Sequence, residues 1–175
     1  MNPNMAEEGE DVMQHLTKKY GASAAKNFKD PDSNLAKMGR AVGINWNYDR
    51  KMFNTKKAHA LVEHVKSKDN DKANKLMEDL YTGYFEQGCD LSDTEKLVSF
   101  AKKVGFEEDE ARAAMADDKQ ALILKKDREV KSEWGVSGVP FYIIEQTNGD
   151  DPVAFSGAYP VDFIAKQLKA ASSAK

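Results

Sequence analysis

The sequence contains very little cysteine. Cys89 is the single cysteine among 175 residues, so no intrachain disulfide can form. Disulfide exchange by a CxxC motif needs an attacking and a resolving thiol, so this chain by itself cannot cycle between a dithiol and a disulfide. Disulfides persist mainly in oxidising compartments. The cysteine count therefore predicts a protein of a reducing compartment, and we expect a cytoplasmic one.

Long apolar runs are also missing. No stretch approaches the ~20 apolar residues that a membrane span requires. Residues 1–8 lack the basic start and the apolar run of a signal peptide. We therefore expect no membrane partner and no secretory leader.

Several binding motifs are absent. The 26 basic and 29 acidic residues give a net charge of −3, and no basic block marks a nucleic-acid surface. No nucleotide-binding glycine loop, GxSxG nucleophile elbow or metal-ligand spacing occurs. The sequence therefore predicts no nucleic-acid partner, no metal and no cofactor.

What the sequence does contain is mostly helical periodicity. The clearest helix has one wide apolar face, made of Ala73, Leu76, Met77, Leu80, Tyr81, Tyr84 and Phe85. The first predicted helix covers residues 5–20, with a cap at Asn4 and an end at Gly21. Asn54 is predicted to cap a later helix, Gly88 to end the helix of residues 73–85, and a short helix follows the acidic run 107–110. The remaining predicted helices cover residues 33–42, 92–104 and 121–134.

The pattern changes after residue 135. Residues 141–144 are a β-favouring apolar run, Asn148 and Gly149 predict a turn, and 153–155 can return as an antiparallel strand. Pro160 then opens a last helix. Its predicted inward face consists of Val161, Ile164, Ala165 and Leu168.

An isolated hairpin poses a physical problem. Two strands alone are marginally stable in water, and an apolar strand needs cover and a neighbour for its second edge. Nothing before residue 140 has a convincing strand pattern. Three explanations remain open: the other strands precede Met1 in a longer protein, another chain supplies them, or the helices cover the hairpin unaided.

Short motifs in matching order resemble one known family. The segment 135–144, GVSGVPFYII, resembles the cis-proline region of DsbA-like oxidoreductases, and 155–161, FSGAYPV, resembles the turn before their last helix. The NPNM start, NTKKAH at 54–59 and YFEQGCDLSD at 84–93 resemble the FrnE-like branch, which includes relatives of 2-hydroxychromene-2-carboxylate isomerase.

The resemblance implies an α/β fold that is mostly helical in this chain. It implies a thioredoxin-like domain with a large all-helical insertion, in which residues 1–134 are the insertion with its lead-in helix. Residues 135–175 would be the C-terminal β-β-α part. In that family the first strand, the CxxC and the next helix and strand precede the NP motif, so we expect this β-α-β portion to be missing here.

The resemblance also implies a substrate site without a catalytic residue. The loop of Gly138, Val139 and Pro140 would contact substrate, with a cis bond before Pro140. Asn54 and His59 would border the active-site groove of the family, although a lone helical histidine is more often a packing residue. Cys89 falls in the insertion, and we expect it to be incidental.

The implied function is that of a DsbA-family, FrnE-like thiol–disulfide oxidoreductase homologue that is redox-inactive as this chain. Its partner would be a thiol- or disulfide-bearing peptide or small molecule, with a homodimer or a strand-supplying chain as a further partner. Two alternatives remain: a non-catalytic peptide- or partner-binding module, and a glutathione-dependent isomerase-like protein.

Overall fold

The computed structural model describes residues 5, 8–146 and 149–173, and the chain divides into two compact units, Met1–Lys125 and Lys126–Lys175. The first unit contains β1 (Glu10–Asp11), α1 (Val12–Tyr20), α2 (Ala22–Lys29), α3 (Asn34–Ala41), β2 (Lys51–Met52), α4 (Lys56–Lys68), α5 (Asn70–Tyr81), a π-helical turn (Thr82–Glu86), α6 (Thr94–Lys103) and α7 (Glu108–Ala114). The helix α8 (Asp117–Trp134) crosses the division, and the second unit contains β3 (Phe141–Ile144), β4 (Val153–Ser156) and α9 (Val161–Ser173).

The core of the first unit lies among α4, α5, α6 and α7. Its largest side chains with a relative exposure of 0% are Leu61, Val65, Leu76 and Leu97. Each comes from a helix that the apolar period predicted, so the periodic part of the sequence correctly identified this core. Tyr81 is the exception, because 49% of it is exposed although it belongs to the predicted apolar face.

The N-terminal helix begins later than predicted. The Asp11 carboxylate accepts hydrogen bonds from the Met13 and Gln14 amides at 2.9 and 3.0 Å, which fixes the start of α1 at Val12 rather than at residue 5. Residues 10–11 instead pair antiparallel with β2. The predicted cap, Asn4, lies outside the described residues. The predicted end at Gly21 is confirmed, with φ +86°.

Arg50 is a buried cation without a carboxylate partner in the described part of the chain. Only 7% of it is exposed, and its guanidinium lies 5.2–5.4 Å from the ring centroids of Phe28, Tyr84 and Phe85. Its Nη1 donates to the Asn47 carbonyl at 2.6 Å. Aromatic faces thus replace an acidic partner, and Arg50 ties α2 to the π-helical turn.

The second unit contains the predicted hairpin. Strands β3 and β4 pair antiparallel with Phe141 opposite Ser156 and Ile144 opposite Val153, and among the described residues β3 has no other strand beside it. Asn148 of the predicted turn lies outside the described residues. Within the described residues, β3 and β4 join neither β1–β2 nor any other strand, as the sequence pattern predicted.

The face of the last helix was predicted incorrectly at two positions. Val161 is 80% exposed and Leu168 is 54% exposed. The contact with the hairpin is made instead by Phe163, whose ring centroid lies 5.4 Å from that of Phe155. A large aromatic side chain therefore sets the rotation of α9 against the hairpin. No helix within residues 8–146 or 149–173 is long and apolar enough to cross a membrane.

Candidate functional site

The candidate site in the second unit is the loop that joins α8 to β3. Gly135 ends α8 with φ +62°, a conformation that glycine adopts without the usual steric cost. The three residues before β3 are all exposed, and Val139 reaches 88% exposure. The Val139–Pro140 peptide bond is cis. The loop therefore presents both its backbone and an apolar side chain to solvent.

The base of this loop is fixed from the opposite strand. The Gly157 amide donates to the Pro140 carbonyl at 2.9 Å, directly beyond the Phe141–Ser156 pair. This bond extends the hairpin ladder by one step and holds Pro140 in place. The loop is thus hydrogen-bonded to β4 at its base, while Gly138 and Val139 are exposed.

An aromatic cluster supports the hairpin from one side. The Tyr142 and Phe155 rings stack at 4.9 Å, Phe155 contacts Tyr159 at 5.7 Å, and Tyr159 stacks on Phe163 at 4.2 Å. Such pairs contribute about 0.5–1.5 kcal/mol each beyond the area they bury. The sequence analysis did not predict that these aromatic residues support the loop, although the sequence places them in and directly after the predicted hairpin.

The other predicted site residues lie at the start of α4 in the first unit. Asn54 is 9% exposed; its side chain accepts from the Lys56 amide at 3.2 Å and donates to the Met5 carbonyl at 3.4 Å. Asn54 lies one residue before the N-cap of α4, which is Thr55, so the predicted cap position was wrong by one residue. Asn54 also ties α4 to the N-terminal segment through the Met5 carbonyl.

His59 lies on an exposed surface of α4. Its Nδ1 is 2.7 Å from the Thr55 carbonyl, one helical turn earlier. This local bond agrees with a surface or packing role, while Nε2 remains available to a ligand. The structure thus brings Asn54 and His59 to one helix end, whereas Gly138, Val139 and Pro140 belong to the other unit. Their role in substrate binding stays a prediction.

Cys89 lies in the connection after the π-helical turn and is half-buried. Its amide donates to the Gly83 carbonyl at 2.8 Å, and its Sγ lies 3.9 Å from Gln87 Oε1. No cationic side chain appears among these contacts. Within the described residues, no group of three His, Cys, Asp or Glu side chains could hold a metal ion.

Comparison with known proteins decides the family. The profile of the DSBA-like thioredoxin domain matches residues 12–169. The chain belongs to the DSBA-like thioredoxin domain family. This confirms the DsbA-like resemblance and the fold class, a mostly helical thioredoxin-like fold with a helical insertion.

A solved structure supports the same assignment of this DSBA-like chain. The crystal structure of a probable DsbA oxidoreductase from Streptomyces coelicolor superimposes with a TM-score of 0.77 at 27% sequence identity. The match covers 97% of this chain and 70% of that one. Comparison with curated proteins found no match.

Proposed function

We propose that this chain is a FrnE-like member of the family that contributes the substrate-contacting side of a thiol–disulfide oxidoreductase and is redox-inactive by itself. The observation that carries the proposal is the exposed loop of Gly138, Val139 and Pro140 at the open end of a two-stranded hairpin. The ligand would be a thiol- or disulfide-bearing peptide or small molecule.

The backbone geometry supports peptide binding at this loop. An extended peptide can add to a strand edge through main-chain hydrogen bonds, while neighbouring side chains select its residues. Among the described residues β3 is hydrogen-bonded to a strand on one edge only. Val139, at 88% exposure, lies just before that strand and would contact an apolar side chain of the peptide.

The single thiol supports the second half of the proposal. A dithiol cycle transfers two electrons: a thiolate attacks a substrate disulfide sulfur, and a second thiol then displaces the reduced substrate. The chain contains Cys89 alone, so the second displacement has no resolving thiol within it. A cysteine pair would have to come from outside these 175 residues. One free cysteine fits a reducing compartment, and we propose the cytoplasm.

A second candidate is a non-catalytic binding module, which the same single cysteine favours. In that case the loop or the helical unit binds a peptide or a partner chain without electron transfer. A partner that supplies strands to β3, or a second copy of this chain, would be the expected ligand. The two candidates differ in whether an added CxxC-bearing partner confers turnover.

An insulin reduction assay with dithiothreitol tests the redox half. We expect the chain and its Cys89→Ser variant to leave the precipitation rate at the value of the buffer control. Turnover by the chain that disappears in Cys89→Ser would overturn the proposal, because Cys89 would then be the working thiol. Turnover that survives in Cys89→Ser would indicate a contaminating reductase, and repurification of the chain would then remove the activity.

Peptide binding tests the loop. A fluorescein-labelled peptide that contains Val and S-methylcysteine in an otherwise neutral sequence is titrated with the chain, with Val139→Glu and with Val161→Glu. The last variant is a control, because Val161 is also exposed in the second unit. We expect Val139→Glu to weaken binding about tenfold, since a charge enters a desolvated contact. Equal affinities for all three proteins would contradict a site at this loop.

A further inference from the structure

The helix α3 distributes its apolar residues in an unusual way. Its buried positions are the small residues Ala36 and Gly39, whereas the large apolar residues Leu35 and Met38 are 42% and 67% exposed, and Val42, which directly follows the helix, is 73% exposed. The large residues follow one another at i, i+3 and i+7 and therefore share one helix face. Folding of this unit places the smaller residues inside and leaves the larger ones in water.

The inner face of α3 already has its partners. A Cβ at Gly39 would overlap the Trp46 indole, so that helix face is in close contact with the following loop. Ser33 caps the helix by accepting from the Ala36 amide at 3.2 Å, and Arg40 donates to the Pro31 carbonyl at 2.7 Å. The helix is thus anchored on one side, and its outer face is not needed for that anchoring.

A groove adjoins this outer face at Leu35 and extends toward α1 and α2. It has a volume of about 410 Å³, and its apolar lining includes Leu16, Tyr20, Phe28 and Leu35. Tyr20 is 60% exposed at its edge. Clustered apolar exposure of this kind marks a binding surface more often than single exposed residues do.

The negative charge of the groove lining favours a partner that carries positive charge. The charged residues that line it are Asp30 and Asp32, and no lysine or arginine is among the described lining residues. The salt-bridge partner of Asp32 is Lys37 at 4.0 Å, and both side chains are more than half exposed. Such a pair contributes at most about 1 kcal/mol, so a cation of the partner can replace Lys37.

We propose that the groove of α1, α2 and α3, with the face formed by Leu35, Met38 and Val42, binds a peptide segment that combines large apolar residues with lysine or arginine. The apolar side chains would enter the groove and cover the outer face of α3, and the cation would pair with Asp32. Charge complementarity and the inverted distribution of apolar residues on α3 carry the proposal. It does not depend on any redox chemistry.

Fluorescence anisotropy with a labelled alternating Leu-Lys octapeptide tests the proposal on the full chain. The paired variants are Leu35→Gln and Leu122→Gln, which make the same change at residues that are 42% and 53% exposed. We expect about tenfold weaker binding for Leu35→Gln, in line with the loss of a largely buried leucine contact, and no change for Leu122→Gln. Far-UV circular dichroism checks that both variants are folded.

The charge requirement has its own paired variants, Asp32→Asn and Asp71→Asn. The first should weaken binding about threefold and flatten its salt dependence, because one exposed ion pair is lost, and the second should do neither. Equal binding of a Leu-Glu octapeptide, or equal effects of Leu35→Gln and Leu122→Gln, would overturn the proposal. So would a dimer of the chain that dissociates in Leu35→Gln, because the face would then serve a second copy.

Discussion

The two units of the chain bury their apolar residues to very different degrees. In the first unit, Leu61, Leu76 and Leu97 have no exposed surface. In the second, Val139 and Val161 are 88% and 80% exposed, and the hairpin strand β3 keeps Ile143 at 37% exposure. The comparison shows that the helical unit builds a core from its own residues although it also exposes Met38 and Val42, whereas Ala171 is the one buried apolar residue in the described part of the hairpin unit.

The difference follows from how helices and strands satisfy their backbones. A helix makes its hydrogen bonds within itself and needs only one apolar face covered. A strand needs a neighbour on each edge, and a two-stranded sheet leaves two edges open. The helical insertion of this family is therefore suited to fold as a unit, and the hairpin with its loop is suited to contact an added chain.

The largest expected effect concerns the core of the helical unit. Leu76→Ala should lower the free energy of unfolding by about 3 kcal/mol, because it removes a fully buried side chain and leaves a cavity. The matched change Leu168→Ala, at 54% exposure, should cost less than about 1 kcal/mol. Urea unfolding followed by circular dichroism measures both. Equal losses would remove the contrast between the units.

A second, smaller effect concerns Arg50. Arg50→Met should cost about 2 kcal/mol, since it removes a charged hydrogen-bond donor to Asn47 and a desolvated cation over three rings. The same change at the exposed Arg128 of α8 should cost less than about 0.5 kcal/mol. Equal urea midpoints for Arg50→Met and the parent chain would show that the guanidinium adds nothing to the junction of α2 and the π-helical turn.

The smallest effect is electrostatic and lies on the surface of the helical unit. The His64 ring, 2.9 Å from the carboxylate, and then Lys68 lower the pKa of Glu110 below its ordinary value of 4.5. A carboxyl whose pKa is lowered by folding stabilises the folded state above its ordinary pKa. That contribution is lost as the pH falls through the lowered value.

Replacing this carboxyl should therefore change the pH dependence. Glu110→Gln should be less stable than the parent chain above about pH 5, and the difference should shrink as the pH falls below about 4. Urea midpoints across this range measure it, with the exposed Glu133→Gln as a control. A difference between Glu110→Gln and the parent chain that is constant over the whole range would contradict the assigned ion pair.

The sequence predicted the helical core well because long helices repeat apolar residues at a fixed period. The sequence prediction was wrong where two residues were both suitable helix caps. It was also wrong where side-chain packing, rather than periodicity, determined which residues are buried. Asn4 and Asp11 are both good caps, and strand pairing of residues 10–11 favours the later start. The period alone placed Val161 inside, whereas Phe163 makes the contact with the hairpin.

The two candidate sites also differ in how far the sequence predicted them. The loop at Val139 and Pro140 was predicted from its resemblance to a known family, and neither composition nor periodicity would have identified it. The groove of α1, α2 and α3 was not predicted at all. It combines residues of separate helices, among them α2 (Ala22–Lys29), a helix that the sequence analysis did not predict.

Hydrogen exchange measured by mass spectrometry, with and without the neutral S-methylcysteine peptide, tests the contrast between the units most directly. Amides of α4, α5 and α6 should exchange slowly in both samples, while those of Phe141–Ile144 should exchange at least about tenfold faster in the free chain and slow down with peptide. A hairpin as protected as α5 without any ligand, and unchanged by the peptide, would contradict the account.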